Sequence, residues 1–207
     1  LATAAARWGV DSTDGKLVVG LALGEIIADE IHVLHNSQTR DLAVLRLNAD
    51  GSADPGFDGD GRVGMDVPGI AATTSAVLQQ SDGKLLAAGA AITTGATAIR
   101  GVALARYNID GSPDGNFGSG GTAFLQIAGL AVDHLVAIVQ QPDGRLVIAG
   151  TSLGGCAGCW GDGDTTITPD LVFLARLNTN GSLDSSFGSN GIYREDLHGL
   201  RGPDRLH

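Results

Sequence analysis

Short apolar segments recur along the whole chain, and clusters of Gly, Asp, Asn and Ser separate each segment from the next. The segments are rich in Val, Leu, Ile and Ala, and they are too short for the long periodic pattern of an amphipathic helix. Asp-Gly pairs, which favour tight hairpin turns, stand between several of them. We therefore predict an all-β fold of short strands joined by turns.

The same order of segments and turns occurs three times, which is typical of repeat architectures. We predict three repeat units, at residues 1–69, 70–129 and 130–199, with 200–207 as the start of a further unit. Three stretches align without a gap (44–69, 104–129 and 174–199), and a motif containing Asp-Gly recurs out of phase with them (11–20, 80–89 and 141–150). The positions identical in the three aligned stretches are Arg46/Arg106/Arg176, Asn48/Asn108/Asn178, Gly51/Gly111/Gly181, Ser52/Ser112/Ser182, Asp54/Asp114/Asp184, Phe57/Phe117/Phe187, Gly61/Gly121/Gly191 and Gly69/Gly129/Gly199.

Each unit contains four predicted strands, and four strands in a repeat of about 60 residues are typical of a β-propeller blade. A solenoid of stacked sheets is the competing layout. Three blades are fewer than an ordinary propeller needs, so we expect further repeats or further copies of the chain to complete the array. The predicted strands are 5–10, 16–19, 42–47 and 62–67; 75–80, 84–88, 102–107 and 122–127; and 135–140, 145–149, 171–177 and 192–197. The connections between the second and third strands differ in length and span 21–41, 90–101 and 151–170.

Two motifs carry a resemblance to a known family. Asp-Gly-Lys-Leu-Leu-Ala-Ala-Gly (82–89) is followed by Leu-Ala-Arg-Tyr-Asn-x-Asp-Gly-Ser-x-Asp-x-x-Phe-Gly-x-x-Gly (104–121). Together they resemble the delta-60 repeat of bacterial secreted and surface proteins, over nearly the whole chain. The resemblance implies a β-propeller-like array in an extracellular or periplasmic location, and it implies no catalytic residues. The chain departs from the family pattern at Asn180, where Asp is usual, and at Asp58, where Gly is usual.

The charge and composition narrow the classes of partner. The net charge of −10 argues against nucleic-acid binding, which requires clustered Lys and Arg. No apolar run reaches the length of a membrane span. Gly accounts for 32 residues, and half of them fall in the repeated turn positions. We therefore expect protein subunits or a surface polymer as partners.

Acidic residues in the loops are candidate metal ligands. The Asn-x-Asp-Gly-Ser-x-Asp loops place oxygen atoms at nearby positions, loosely like the start of a calcium loop, although no Glu follows at the required distance. The alternative is that these side chains cap backbone N–H groups of the turn. We therefore expect no cofactor, and a bound Ca²⁺ is the alternative. The candidates are Asp50, Asp54, Asp110, Asp114, Asp184, Asp162 and Asp164.

An arginine recurs inside an apolar strand in each unit, at Arg46, Arg106 and Arg176. We predict that each guanidinium is partly buried and paired with a carboxylate of its own unit, Asp54, Asp114 or Asp184. The phenylalanines Phe57, Phe117 and Phe187 are predicted to fill the core between neighbouring sheets, because aromatic side chains bury large areas.

The variable connections carry the unrepeated residues, and binding residues usually lie on such loops. Cys156 and Cys159 form a Cys-x-x-Cys pair, for which we favour a local disulfide over half a zinc site or a redox pair. The alternative is that the loops differ in length without having a function. The candidate partner-binding residues are Ile26, Ile27, His32, Ile92 and Trp160.

These features favour a non-enzymatic, extracytoplasmic β-propeller module that binds or scaffolds another protein or a surface polymer. No nucleophile elbow, phosphate loop or zinc-protease motif occurs in the sequence. One alternative is a hydrolase or lyase acting on an extracellular polymer from a propeller face. Another is a calcium-stabilised surface adhesin.

Overall fold

The computed structural model describes residues 5–11, 15–22, 42–94, 99–127, 131–153 and 170–196. These residues form strands and turns in three antiparallel sheets, one for each predicted unit, and no helix among them is long and apolar enough to span a membrane. The first sheet comprises β1 (Ala5–Asp11), β2 (Leu17–Ala22), β3 (Leu42–Leu47) and β4 (Arg62–Met65). The middle sheet comprises β5 (Ile70–Ala72), β6 (Ala76–Gln79), β7 (Leu85–Thr93), β8 (Arg100–Tyr107) and β9 (Thr122–Leu125). The third sheet comprises β10 (Ala131–Gln140), β11 (Leu146–Leu153), β12 (Asp170–Leu177) and β13 (Ile192–Asp196).

The all-β propeller-like prediction is confirmed, and the sheets follow chain order. The first and third sheets are four-stranded meanders in the orders β1-β2-β3-β4 and β10-β11-β12-β13. In the middle sheet β5 and β6 both pair with β7, so they act as one interrupted outer strand. Each unit therefore has the four-stranded layout of a propeller blade.

The outer strand of the middle sheet is interrupted at a β-bulge. Register shifts also occur in β1, between Arg7 and Gly9, and in β10, between Leu135 and Ala137. In the middle sheet the same irregularity separates β5 from β6 and brings the Thr73 carbonyl against Gly89, where a Cβ would lie only 1.6 Å from that oxygen. The predicted strand 75–80 is therefore only the second half of the outer strand, because a bulge interrupts the ladder.

The middle connection is shorter than the sequence suggests. The predicted loop 90–101 is wrong at both ends, because β7 continues to Thr93 and β8 begins at Arg100. Ile92 was expected in this loop, but it lies in β7, where it pairs with Ala71 of β5 and with Arg100 of β8. The extra strand β5 supplies the ladder that holds the extension in place.

The middle sheet is buried on both faces. Leu86 and Leu104 point into a core shared with the third sheet, while Leu85 and Ala103 point into a core shared with the first. Successive strand residues face opposite sides, so a strand covered on both faces reads as a continuous apolar run. This arrangement explains the run Leu-Leu-Ala-Ala-Gly-Ala-Ala-Ile in β7.

Candidate functional site

The Asn-x-Asp-Gly-Ser turn is closed by its own side chains. Asp50 Oδ1 accepts hydrogen bonds from the Ser52 main-chain N (2.9 Å) and from Ser52 Oγ (2.6 Å). These bonds from Ser52, the hydroxyl first, lower the pKa of Asp50 below its ordinary value. In the third unit Asn180 Oδ1 accepts the same two bonds from Ser182, at 3.1 and 2.8 Å. Asn180 can replace the aspartate of the other two units because the turn requires an oxygen acceptor and not a charge.

The second aspartate of each loop is buried and paired, as predicted. Asp54 Oδ2 accepts hydrogen bonds from Arg46 Nε (2.6 Å) and Lys16 Nζ (2.7 Å). The Lys16 ammonium, followed by the Gly56 N–H and Arg46, outweighs the cost of burial and lowers the pKa of Asp54.

The middle and third units repeat this pairing. For Asp114, burial is the largest effect and opposes ionisation, but Lys84 and Arg106, at 2.9 and 2.7 Å, reverse it and the pKa is lowered. Arg176 Nε donates to Asp184 at 2.8 Å, and Arg145 Nε lies 3.2 Å from the same oxygen. The carboxylate therefore joins two basic residues in each unit.

The second basic residue is a site partner that the sequence reasoning missed. Lys16, Lys84 and Arg145 each follow the Asp-Gly turn of the out-of-phase motif, and each contacts the aspartate of the other motif. The signal available in the sequence was the recurrence of a basic residue directly after Asp-Gly. The two motifs of a unit are therefore joined by charge.

The contacts of the loop aspartates favour the structural interpretation over a metal site. Asp50 and Asp110 cap their own turns, and Asp54, Asp114 and Asp184 hold basic side chains. Within the residues that the structure describes, no group of three or more His, Cys, Asp or Glu side chains could hold a metal ion. The other two candidates, Asp162 and Asp164, lie outside those residues.

Each arginine also covers a phenylalanine. The guanidinium carbon of Arg46 lies 4.6 Å from the centroid of the Phe57 ring, within the range of a cation–π interaction. The corresponding distances for Arg106–Phe117 and Arg176–Phe187 are 4.5 and 4.8 Å. Phe57 and Phe117 are fully buried and belong to the two cores between sheets, as predicted, whereas Phe187 is only half-buried.

The arginine and phenylalanine fasten one sheet to the next. Arg46 Nη1 donates to the Ile109 carbonyl of the middle unit at 2.6 Å, and the Asp58 N–H donates to the Asp110 carbonyl at 2.8 Å. Gly111 has a φ of +90° and lies so close to the Phe57 ring that a Cβ would be 3.2 Å from it. We call this set of contacts a clasp.

A second clasp joins the middle and third units. Arg106 Nη1 donates to the Thr179 carbonyl at 2.6 Å, and the Gly118 N–H donates to the Asn180 carbonyl at 2.9 Å. A Cβ on Gly181 would lie 2.8 Å from the Phe117 ring, so only glycine fits there. The loops of the middle and third units therefore each receive the clasp of the preceding unit.

Beside the second clasp lies an open polar cleft of about 460 Å³ between the middle and third units. Gln80 is buried there, and its Oε1 has no hydrogen-bond partner among the described residues. The lining residues are Gln80, Ser81, Asp82, Lys84, Arg106, Asn116, Gln140, Gly144, Thr179 and Asn180. The cleft is therefore a polar concavity at the junction between the middle and third units.

The predicted loop sites are mostly beyond what the structure describes. Ile26, Ile27, His32 and Trp160 fall outside the described residues, as does the predicted disulfide between Cys156 and Cys159. Ile92 is described and is half-buried in β7.

A family match agrees with this architecture. The sequence matches a family described as "Domain of unknown function (DUF5122) beta-propeller" at residues 33–57, 80–117 and 162–187. A crystal structure of a protein of unknown function from Bacteroides caccae is similar at 12% identity, with 94% of this chain and 73% of that chain covered and a TM-score of 0.31. No match was found among curated proteins. The chain is therefore an all-β repeat protein of the β-propeller kind.

Proposed function

We propose that this protein is a non-enzymatic binding or scaffold module that works outside the cytoplasm and engages another protein or a surface polymer through its variable connections. The observation that carries the proposal is the contrast between rigid, clasped sheets and connections of unequal length at one equivalent place. Segments 23–41, 94–99 and 154–169 each join the second strand of a sheet to the third. Because the sheets repeat one topology, each of these connections joins equivalent strand ends, so loops of different length are carried at one repeated position of a common framework.

The described loop carboxylates lack the electrostatics of a general acid or base. A general acid or base working near neutral pH needs a pKa moved toward neutrality. Hydrogen bonds to partners within the fold, however, lower the pKa values of Asp50, Asp54, Asp110, Asp114 and Asp184. These carboxylates are occupied in holding turns and sheets.

The location outside the cytoplasm rests on the resemblance of the repeats to secreted and surface proteins. The Cys156–Cys159 pair is consistent with it, because disulfides persist in oxidising compartments. Alkylation of the natural protein before and after reduction, read by mass spectrometry, tests this part. Two free thiols before reduction would contradict it.

Loop replacement tests the binding role. In one variant, segment 23–41 is replaced by 91–101, which joins the equivalent strand positions of the middle unit. A matched variant carries the same replacement at 152–171. Immobilised wild-type and variant chains are exposed to envelope proteins and to purified wall polysaccharide of the source cell.

We expect at least one replacement to abolish binding while the melting temperature of the chain stays close to that of the wild type. Retention of all binding by both variants would contradict the proposal. Release of reducing ends from the polysaccharide by the wild-type chain would favour the polymer-degrading alternative. A fall in melting temperature on adding a chelator would favour the calcium-stabilised adhesin.

A further inference from the structure

The three sheets stack in the same way at both junctions, and equivalent residues of the repeats form the two junctions. The face that carries the repeated arginine is here named the Arg face, and the other side of the sheet is the reverse face. The Arg face of the first sheet packs on the reverse face of the middle sheet, and Arg46 and Phe57 provide its clasp. The Arg face of the middle sheet packs on the reverse face of the third, with Arg106 and Phe117 as its clasp.

Among the described residues, this stacking leaves the Arg face of the third sheet open. Val139 is 53% exposed and Tyr193 is 46% exposed on this face. They stand in the cross-strand rows Val139–Val147–Arg176 and Tyr193–Leu174–Ala149, so all six residues share one side of the sheet. Val147, Ala149 and Leu174 are half-buried.

Three of the equivalent positions in the middle sheet are completely covered. Leu86, Ala88 and Leu104 correspond to Val147, Ala149 and Leu174, and all three have 0% exposure because the third sheet lies over them. The open face therefore has the composition of a core and not of an ordinary surface.

The reverse face of the first sheet is open in the same way. Leu17 is 42% exposed, and Val19, Leu45 and Leu47 beside it are half-buried. Their middle-sheet counterparts are Leu85, Ala87, Ala105 and Tyr107, which have 1% exposure or less because the Arg face of the first sheet covers them.

Within the part of the chain that the structure describes, the clasp residues at the two open faces also have no counterpart from a neighbouring unit. Arg176 Nη2 donates to Ser186 Oγ within its own unit. At the other end, a Cβ on Gly51 would find nothing within 4 Å, although its counterparts Gly111 and Gly181 lie against Phe57 and Phe117. One end thus presents an arginine and a phenylalanine whose contacts stay within their own unit, and the other presents a glycine loop with no ring packed on it.

We propose that the Arg face of the third sheet docks on the reverse face of the first sheet in a second copy of this chain, and reciprocally, so that two copies close a ring of six sheets. One molecule carries both faces of the required interface, and the same kinds of face already pack on each other at its two internal junctions. In the ring Arg176 donates to the Ala49 carbonyl of the other copy, the Gly188 N–H donates to its Asp50 carbonyl, and Phe187 packs on its Gly51. A head-to-tail contact that closes after two copies satisfies all open faces, and six blades lie within the known range of propellers.

Sedimentation equilibrium of the 207-residue chain tests the proposal. The chain mass is 21.0 kDa, so the ring has a mass of about 42 kDa. Val139→Asp places a carboxylate on one open face, and Leu17→Asp places one on the other. Both residues are largely solvent-exposed in the single chain. Gly115→Asp is the matched control, at an exposed turn position of the middle unit where an added Cβ would find nothing within 4 Å.

We expect each face variant to weaken dimerisation by about tenfold or more, because docking buries the added carboxylate against an apolar sheet, while the control dimerises like the wild type. A mixture of the two face variants must regain dimer, because the mixed pair contains one junction in which both faces are wild type. A wild-type monomer at high concentration, a dimer that neither variant weakens, a mixture that regains nothing, or open chains larger than a dimer would each overturn the proposal.

Discussion

Phe117 and Phe187 occupy the same position in successive repeats, and an equivalent arginine lies over each ring, yet their environments differ. Phe117 is fully buried because the Gly181 loop of the third unit closes over it, whereas Phe187 is half-buried. The side chain of Arg106 is 8% exposed and that of Arg176 is 21% exposed. The repeated motif therefore forms one side of a junction between units, and how deeply it is buried depends on the unit that follows.

The largest expected effect comes from truncating the buried ring. Phe117→Ala removes an aromatic side chain from a closed core and should lower the free energy of unfolding by about 4 kcal/mol. Phe187→Ala, at the half-buried counterpart, should cost about 1 kcal/mol in the single chain. Urea unfolding followed by circular dichroism measures both, and equal losses would mean that the two environments are the same.

Removing the buried carboxylate of Asp114 should have the next largest effect on the free energy of unfolding. Asp114→Ala leaves Arg106 and Lys84 without their shared partner and should cost about 3 kcal/mol, because an unpaired buried charge is strongly unfavourable. Asp184→Ala should cost less, since Arg176 and Arg145 are more exposed to water. The same urea titration decides between them, and a larger loss for Asp184→Ala would contradict the comparison.

Acid should act on the same carboxylates. The pKa values of Asp54 and Asp114 are lowered in the fold from an ordinary value of 3.8, so their stabilising contribution is fully present above that value. It is lost as the pH falls below 3.8 and through the lowered pKa of each group. We expect stability to change little from pH 7 to 5 through these two groups.

Thermal melts from pH 7 to 2 measure this dependence. Asp114→Asn cannot titrate at that position, so its melting temperature should fall less below pH 3.8 than that of the wild type. Parallel curves for the two proteins would show that Asp114 contributes nothing to acid unfolding.

The smallest effect belongs to the capping aspartates. Asp110→Asn should leave the urea midpoint unchanged, because Asn180 already makes the same turn bonds with an amide oxygen. Asp110→Ala removes the acceptor and should lower the midpoint measurably. If Asp110→Asn behaved like Asp110→Ala, the charge of Asp110 would have a role that the turn geometry does not explain.

Much of the fold was predictable because its signals are local. The strand 42–47 coincides with β3, and 171–177 differs from β12 by one residue. The pairing of Arg46 with Asp54 followed from their recurrence in every unit. The split between β5 and β6 was not predictable, because it depends on how the Thr73 carbonyl meets Gly89 in another strand.

The candidate sites were predictable only in part. The sequence places Arg46 and Asp54 in one motif, but the contact of Lys16 with Asp54 joins residues 38 positions apart in different motifs. Likewise, apolar residues occupy equivalent positions in all three sheets, so the pattern alone cannot tell which face is covered. Leu104 and Leu174 are equivalent in sequence and differ only in what packs over them.

The amino-acid sequence by itself determined the all-β class, the three-unit repeat, the turn chemistry and the Arg–Asp pairs, because each depends on residues close together in the chain. Only the tertiary structure decided the clasps between units and the two open apolar faces. Those features depend on how whole sheets stack, because burial of an apolar face lowers the free energy only when another sheet covers that face.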